Sequence, residues 1–110
     1  MTRLQEISAE RYRRRESLRE DVRQRLRLAL RELAPAKHAI VFGSLISPGR
    51  FSDTSDVDVA LETEPRGMTI YQLTSLLGER VGRPVDVVVL SECRFRDRIL
   101  REGETWTLLA

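Results

Sequence analysis

Apolar residues recur along the first third of the chain at the spacing of a helix. Leu18, Val22, Leu26, Leu30 and Leu33 fall on one stripe when the chain is wound at a helical period. Pro35 closes the segment, because a proline disfavours helical backbone in the residue before it. The pattern predicts a long amphipathic helix within residues 1–34, with Ser8 as a candidate N-cap. Few apolar anchors follow Leu4 and Ile7 before Leu18, so the start of this helix is expected to project. The period changes at His38. His38–Phe42 is an apolar, strand-like run, and Ser55–Leu61 alternates polar and apolar residues with a period of two. Ile70, Leu73, Leu77 and Val81 return to helical spacing, and Gly82 and Pro84 end that helix. Pro84–Leu90 is a third strand-like run whose only charge is Asp86. Ser91 is a candidate cap for a last helix with Phe95, Ile99 and Leu100 facing the core, after which Gly103 leads into a short edge strand with Trp106 and Leu108 on one face.

These elements imply an α/β (α+β) domain over residues 35–110, a small mixed sheet flanked by helices, with the long N-terminal amphipathic helix packed on it. A helical crossover between the second and third strands requires them to run parallel. The first two must run antiparallel if Gly43-Ser44, at the end of one, is to meet Asp56, near the start of the next. At 110 residues the chain buries only about two thirds of its unfolded surface, enough for one core.

Charge is uneven along the chain. Ten of its 19 basic residues stand in residues 1–34 against six acids, and the net charge is only +2. That balance gives no argument for nucleic acid as a direct ligand. Arg15, Arg19, Arg23, Arg27 and Arg31 form a row at four-residue spacing beside the apolar stripe. The plain expectation is a solvated face, and the sharper one is docking to an acidic partner or RNA. Cys93 is the single cysteine, which excludes an internal disulfide or a cysteine metal cluster. With no apolar run of spanning length and a start that leads directly into charge, a cytoplasmic protein is expected.

The candidate chemistry lies in three short motifs. Gly43-Ser44 at a strand end lets the backbone approach a bulky anion while offering N–H groups and a hydroxyl. Asp56-Val57-Asp58 directs two carboxylates to one side of a strand. Asp86, set among valines, would be costly to bury without a partner or a cation. Clustered carboxylates repel one another at neutral pH, and a hard divalent cation such as Mg²⁺, also held by triphosphate oxygens, removes that repulsion. Phosphoryl or nucleotidyl transfer is the implied chemistry. His38, with no second histidine, is read as a strand residue rather than a metal ligand, Tyr71 as a packing or surface residue, and Trp106 as core. No nucleophile-elbow pattern supports a hydrolase.

Gly43-Ser44, Asp56-Val57-Asp58 and Asp86, in this order, resemble the signature of the minimal nucleotidyltransferases of the DNA polymerase β superfamily. The tail Ile99–Trp106 resembles the closing helix and strand of that minimal form. The resemblance implies a polymerase β-like nucleotidyltransferase fold. It also implies two Mg²⁺ ions held by Asp56, Asp58 and Asp86, with ATP phosphates held by Gly43 and Ser44. Asp86 would in addition favour deprotonation of the acceptor hydroxyl. Members of the antitoxin type often carry an arginine early in the loop after Gly-Ser. Here Leu45-Ile-Ser-Pro-Gly49 intervenes before Arg50, the candidate substitute for phosphate contact. Superfamily members that act on antibiotics or nucleic acids add an acceptor-holding domain for which this sequence has no length, so the acceptor is expected on a partner. The resemblance points to the antitoxin of a pair with a HEPN-type ribonuclease toxin, modified by AMP on a tyrosine. A catalytically silent module that neutralises its partner by docking, and a stand-alone enzyme acting on RNA or a small molecule, are the alternatives.

Overall fold

A computed structural model of the chain describes residues 1–108; Leu109 and Ala110, the end of the expected 35–110 unit, lie outside the described residues. The elements run α1 (Arg3–Leu33), β1 (His38–Phe42), β2 (Val57–Leu61), α2 (Ile70–Val81), β3 (Val85–Val89), α3 (Arg96–Glu102) and β4 (Glu104–Thr107). Short 3₁₀ turns follow β1 at Gly43–Ile46 and β3 at Leu90–Glu92. The four strands lie in the order β3-β2-β1-β4. β1 pairs antiparallel with both β2 and β4, and β2 pairs parallel with β3 across the α2 crossover, so the sheet is mixed, as the motif positions require.

Strand alternation divides the buried residues into two sets. Ala39, Val41, Val57, Val59, Leu61, Val85 and Trp106 face the side covered by α1 and α2, where Val22, Leu26, Leu30, Leu73, Leu77 and Val81 complete the main core. Ile40 and Ala60 face the other side, against Leu90 and Ile99. The first face is closed by two helices, whereas among the described residues the second carries only the seven-residue α3 and the turn after β3.

Several local expectations are corrected. The cap of α1 is Thr2, not Ser8: Thr2 Oγ1 accepts from Gln5 N–H at 3.1 Å while Gln5 Oε1 accepts from Thr2 N–H at 2.8 Å, a reciprocal box that starts the helix a turn and a half earlier. Ser91 falls in the 3₁₀ turn, and Phe95 stands at the N-cap of α3 with no side-chain cap. Only Ile99 of the three expected core residues there is buried; Phe95 and Leu100 are exposed, because a helix this short has one turn against the sheet.

The arginine row departs most from expectation. Arg15 donates to Gly49 O at 3.4 Å and Arg19 to Leu45 O at 3.1 Å. Arg23 makes a two-pronged contact with Glu104 Oε1 at 2.6 Å and Oε2 at 3.4 Å, and its guanidinium lies 5.3 Å from the Trp106 ring centre. Arg27 lies 4.7 Å from the same ring. Four of the five arginines therefore reach atoms of the domain, Arg19 and Arg23 as half-buried side chains, while Arg15, Arg27 and Arg31 stay exposed, so the row is in part pinned to the protein and in part a solvated face. The physical cause is its place directly beside the buried stripe, from which long side chains reach over the edge of the core.

Two consequences are measurable. Leu26 is fully buried, so Leu26→Asp places an unpartnered carboxylate in the main core and should lower unfolding stability by more than about 3 kcal/mol in denaturant titration. The Arg23 guanidinium, hydrogen-bonded to Glu104, holds that carboxyl below the usual carboxylate range. A pKa depressed on folding adds stability above the unfolded value, near pH 4.3, that is lost as pH falls through the folded value. The gap in melting temperature between wild type and Glu104→Gln should thus favour the wild type at pH 7 and close below about pH 4. The corresponding difference in stability should stay within about 1 kcal/mol, since the Glu104 side chain is 43% exposed.

Candidate functional site

β1 ends on Phe42, and the chain turns there through Gly43 at a φ of +80°, in the left-handed region that favours glycine. The same residue needs its bare Cα for a second reason: a Cβ at Gly43 would stand 2.5 Å from Asp58 Oδ2. Phe42 is the register partner of Asp58 in the antiparallel ladder, which is why the turn after β1 folds back over that carboxylate. The 3₁₀ turn then presents Ser44, half-buried, and is held by Ser47, whose hydroxyl donates to Gly43 O at 3.0 Å and whose N–H donates to Ser44 O at 3.1 Å.

The parallel ladder supplies the other half of the site. Asp58 and Asp86 are register partners on β2 and β3, on the face opposite Val57, Val59 and Val85. Asp58 is half-buried, and its carboxyl is pushed up from the usual range, first by burial, then by the charges of Asp86 and Asp56. Three negative groups are thus felt at one place. Two details differ from the sequence reading. Asp56 precedes β2 rather than lying within it and is exposed. Asp86 is also exposed, not buried among valines, because β3 is an edge strand and its apolar neighbours serve the opposite face. The argument from buried charge therefore fails for Asp86 and applies in part to Asp58. Arg50 is exposed on the loop, with its N–H donating to Ser47 O at 3.1 Å, and is not among the charges acting on Asp58.

The sequence reading missed the residues that hold the loop between Gly43 and Asp56. Glu16 on α1 takes Arg19 in a bidentate pair at 2.9 Å and accepts the Gly49 N–H at 2.9 Å. The Arg19 hydrogen bond, then that of Gly49, holds its carboxyl below the usual range. Phe51 is fully buried, with the Arg83 guanidinium 4.7 Å from its ring centre. Arg83 also donates to Ser52 O at 3.0 Å and Ser55 O at 2.9 Å. A lone aromatic in a polar loop was the available signal for Phe51; nothing local marked Glu16, Arg19 or Arg83, whose partners lie 26 to 33 residues away. With the loop fixed at both sides, Gly43 and the carboxylates are presented by strands and a braced turn.

What this arrangement offers chemically is an anion-tolerant backbone turn packed directly on a cluster of oxygen donors that repel one another. All the donors are carboxylates, suited to a hard divalent cation. Among the described residues no three carboxylate, histidine or cysteine side chains already converge closely enough to enclose an ion. None of the curated proteins or solved structures compared with the chain matches it. The family model for "Polymerase beta, Nucleotidyltransferase" matches residues 24–106, a span that begins on the inward-facing half of α1 and takes in the glycine turn, all three aspartates and β4. Because that match covers well over half of the chain, the chain belongs to the polymerase beta nucleotidyltransferase family.

Proposed function

We propose that the protein transfers AMP from ATP to a tyrosine hydroxyl on a partner protein, and that the partner is a HEPN-type ribonuclease toxin which it neutralises as an antitoxin in the cytoplasm. The observation that carries this reading is the cross-strand pair of Asp58 and Asp86 with Gly43 packed on Asp58. Family membership supports nucleotidyl transfer, for which a nucleoside triphosphate and a divalent metal are the general requirements. The residues present fit such a metal in donor type and in charge, and the proposed ligands of two Mg²⁺ ions are Asp56, Asp58 and Asp86. Bound there, Mg²⁺ supplies polarisation of the phosphoryl oxygens and cancels the repulsion among the carboxylates.

The chain's own residues do the remainder. Gly43 and Ser44 bind the phosphates through N–H groups and a hydroxyl, and Arg50, exposed on the loop that follows, is the proposed further phosphate contact. Asp86, exposed at the edge strand, favours removal of the proton from the acceptor hydroxyl. The acceptor oxygen then bonds to the α-phosphorus, the bond from that phosphorus to the β-bridging oxygen breaks, and pyrophosphate leaves while the proton passes to solvent. Asp56 and Asp86 are both open to solvent, which suits an acceptor carried by another macromolecule. Among the described residues no helix is long and apolar enough to cross a membrane.

A second reading has one observation in its favour. The loop after Gly43-Ser44 supplies no basic residue before Arg50, which is exposed, and this suits a silent module that keeps the fold and neutralises its partner by docking alone.

Mixing the protein with its partner, ATP and Mg²⁺ separates the two. Intact mass should show the partner gaining one or more AMP units on tyrosine as its ribonuclease activity falls. Asp86→Asn should slow modification by about a hundredfold or more while leaving complex formation nearly intact. Full silencing with no mass change and no nucleotide would leave docking as the function. Thermal melts give an independent check on the carboxylates. A carboxyl whose pKa is raised on folding disfavours the fold once ionised, so Asp58→Asn should melt at or above the wild-type temperature without metal. It should also gain less than the wild type from added Mg²⁺ and ATP. Equal gains in the two proteins would place the metal elsewhere. Gly43→Ala, by contrast, should lose about 1–3 kcal/mol of stability through strained backbone and the clash with Asp58.

A further inference from the structure

The inward face of α1 changes character at Leu18. From there onward it is apolar, with Leu18, Val22 and Leu26 packed in the main core. Ahead of Leu18 the same face carries Arg15, Arg14 and Arg11, which with Leu18 stand at i, i+3, i+4 and i+7. These four residues form one wall of a cleft of about 330 Å³, and Ser52, Asp53 and Thr54 of the loop before β2 form the other. This part of the helix is fixed against the loop. Arg15 donates to Gly49 O at 3.4 Å, Glu16 accepts the Gly49 N–H at 2.9 Å, and Tyr12 lies so near that a Cβ at Gly49 would stand 2.8 Å from its ring. Three guanidinium groups thus line the cleft against the single carboxylate of Asp53. Among the described residues Arg14 alone of the three is in an ion pair, with Glu10 at 3.2 Å, and both of those side chains are mainly exposed.

We propose that this cleft docks an acidic segment of the partner protein, the stretch of chain beside its acceptor hydroxyl. The proposal rests on the reading above that the target is another protein, and it names the chemistry by which that protein is chosen. Guanidinium groups lining a cleft take carboxylates in paired hydrogen bonds, and acidic side chains entering there supply the counter-charge that the domain itself does not. Position supports the assignment. Thr54, in the cleft wall, stands two residues before Asp56, a backbone span of at most about 7 Å. A chain whose hydroxyl lies against the carboxylates therefore brings its neighbouring residues to the mouth of the cleft. All three arginines also precede residue 24, where the match to the family begins, so they suit the choice of a partner rather than the chemistry that the family shares. RNA fits less well. Glu10 and Asp53 set carboxylates among the arginines, and the closely spaced charges of a phosphate backbone, unlike separate acidic side chains, cannot avoid them.

Fluorescence anisotropy of the full chain with a labelled peptide, Glu-Glu-Glu-Tyr-Glu-Glu-Glu, and with its counterpart bearing glutamine in place of every glutamate, tests the cleft. Salt is held at about 0.1 M, where exposed charges more than about 10 Å apart are largely screened. The wild type should bind the acidic peptide about tenfold more tightly than the glutamine peptide, the scale of a few exposed ion pairs. Arg11→Glu combined with Arg14→Glu should remove that preference; Arg15 is left in place because it braces the loop. Arg13→Glu combined with Arg31→Glu changes the net charge equally, at exposed positions outside the cleft, and should keep the preference within about twofold of the wild type. Equal binding of the two peptides by the wild type, or an equal loss in the two double variants, overturns the docking cleft. So does a labelled single-stranded RNA that binds more tightly than the acidic peptide and is weakened only by the Arg11 and Arg14 substitutions, which gives the arginines to nucleic acid. Wild-type protein that prefers the acidic peptide but gains no thermal stability from ATP and Mg²⁺ keeps the cleft and removes nucleotidyl transfer, leaving neutralisation by docking.

Discussion

Parallel pairing of β2 with β3 sets Asp58 beside Asp86, and the repulsion between these carboxylates is the constraint around which the rest of the structure is arranged. Like charges directly opposed across strands destabilise a sheet. The pairing persists because the opposite faces of the same strands bury Val57, Val59, Leu61 and Val85 in the main core, and a one-residue slip of register would turn those valines to solvent. Hydrophobic burial on one face therefore fixes the charges on the other. The unfavourable electrostatics lie where a cation would relieve them, and the Asp58 carboxyl is pushed up by burial first and then by both neighbouring carboxylates.

The two faces of the sheet have been given different work. α1 and α2 close one face, bound to each other by apolar packing and by Arg80 and Glu32 at 2.5 Å. Among the described residues the other face carries only a short helix and the turn after β3, so it retains the open carboxylates and a chamber beside Gly43. Binding surfaces on small domains commonly lie where a rigid scaffold stops short of covering itself. Here the closed face supplies the stability that the open face lacks.

α1 serves the site by bracing the turn and loop that present it. Its buried stripe anchors it to the sheet, and the arginine row one step around the helix then reaches outward to fixed partners. Arg19 and Glu16 hold the loop after the glycine turn, and Arg23 and Arg27 fasten edge strand β4 through Glu104 and Trp106. From the other side Arg83 grips the end of that loop and covers Phe51. These contacts join segments distant in sequence, and each adds only a modest energy. Their combined effect is geometric: a loop of 10 residues between the 3₁₀ turn at Gly43–Ile46 and β2 is held in one shape beside the carboxylates.

Periodicity, with the proline and glycine stops, placed the helices and strands along the chain, because burial on one face imposes a period on the sequence that local reading detects. The position of Gly43-Ser44 relative to Asp56, with the α2 crossover, was enough to require a mixed sheet. The residue types of the site were legible for the same reason: glycine at a strand end and lone carboxylates among valines break the pattern of their surroundings. Tertiary structure alone decided whether those carboxylates were buried. Asp86 lies on an edge strand, and an apolar run reads the same whether its strand is central or at the margin. It likewise decided the exposure of Phe95 and Leu100, which depends on how little sheet α3 covers; the Thr2–Gln5 capping box, by contrast, is local and was legible in the sequence. The fate of the arginines was the least legible of all. A row of like charges at helical spacing has the same sequence whether it meets water or protein, and only the folded chain brings Gly49, Leu45, Glu104 and Trp106 within its reach.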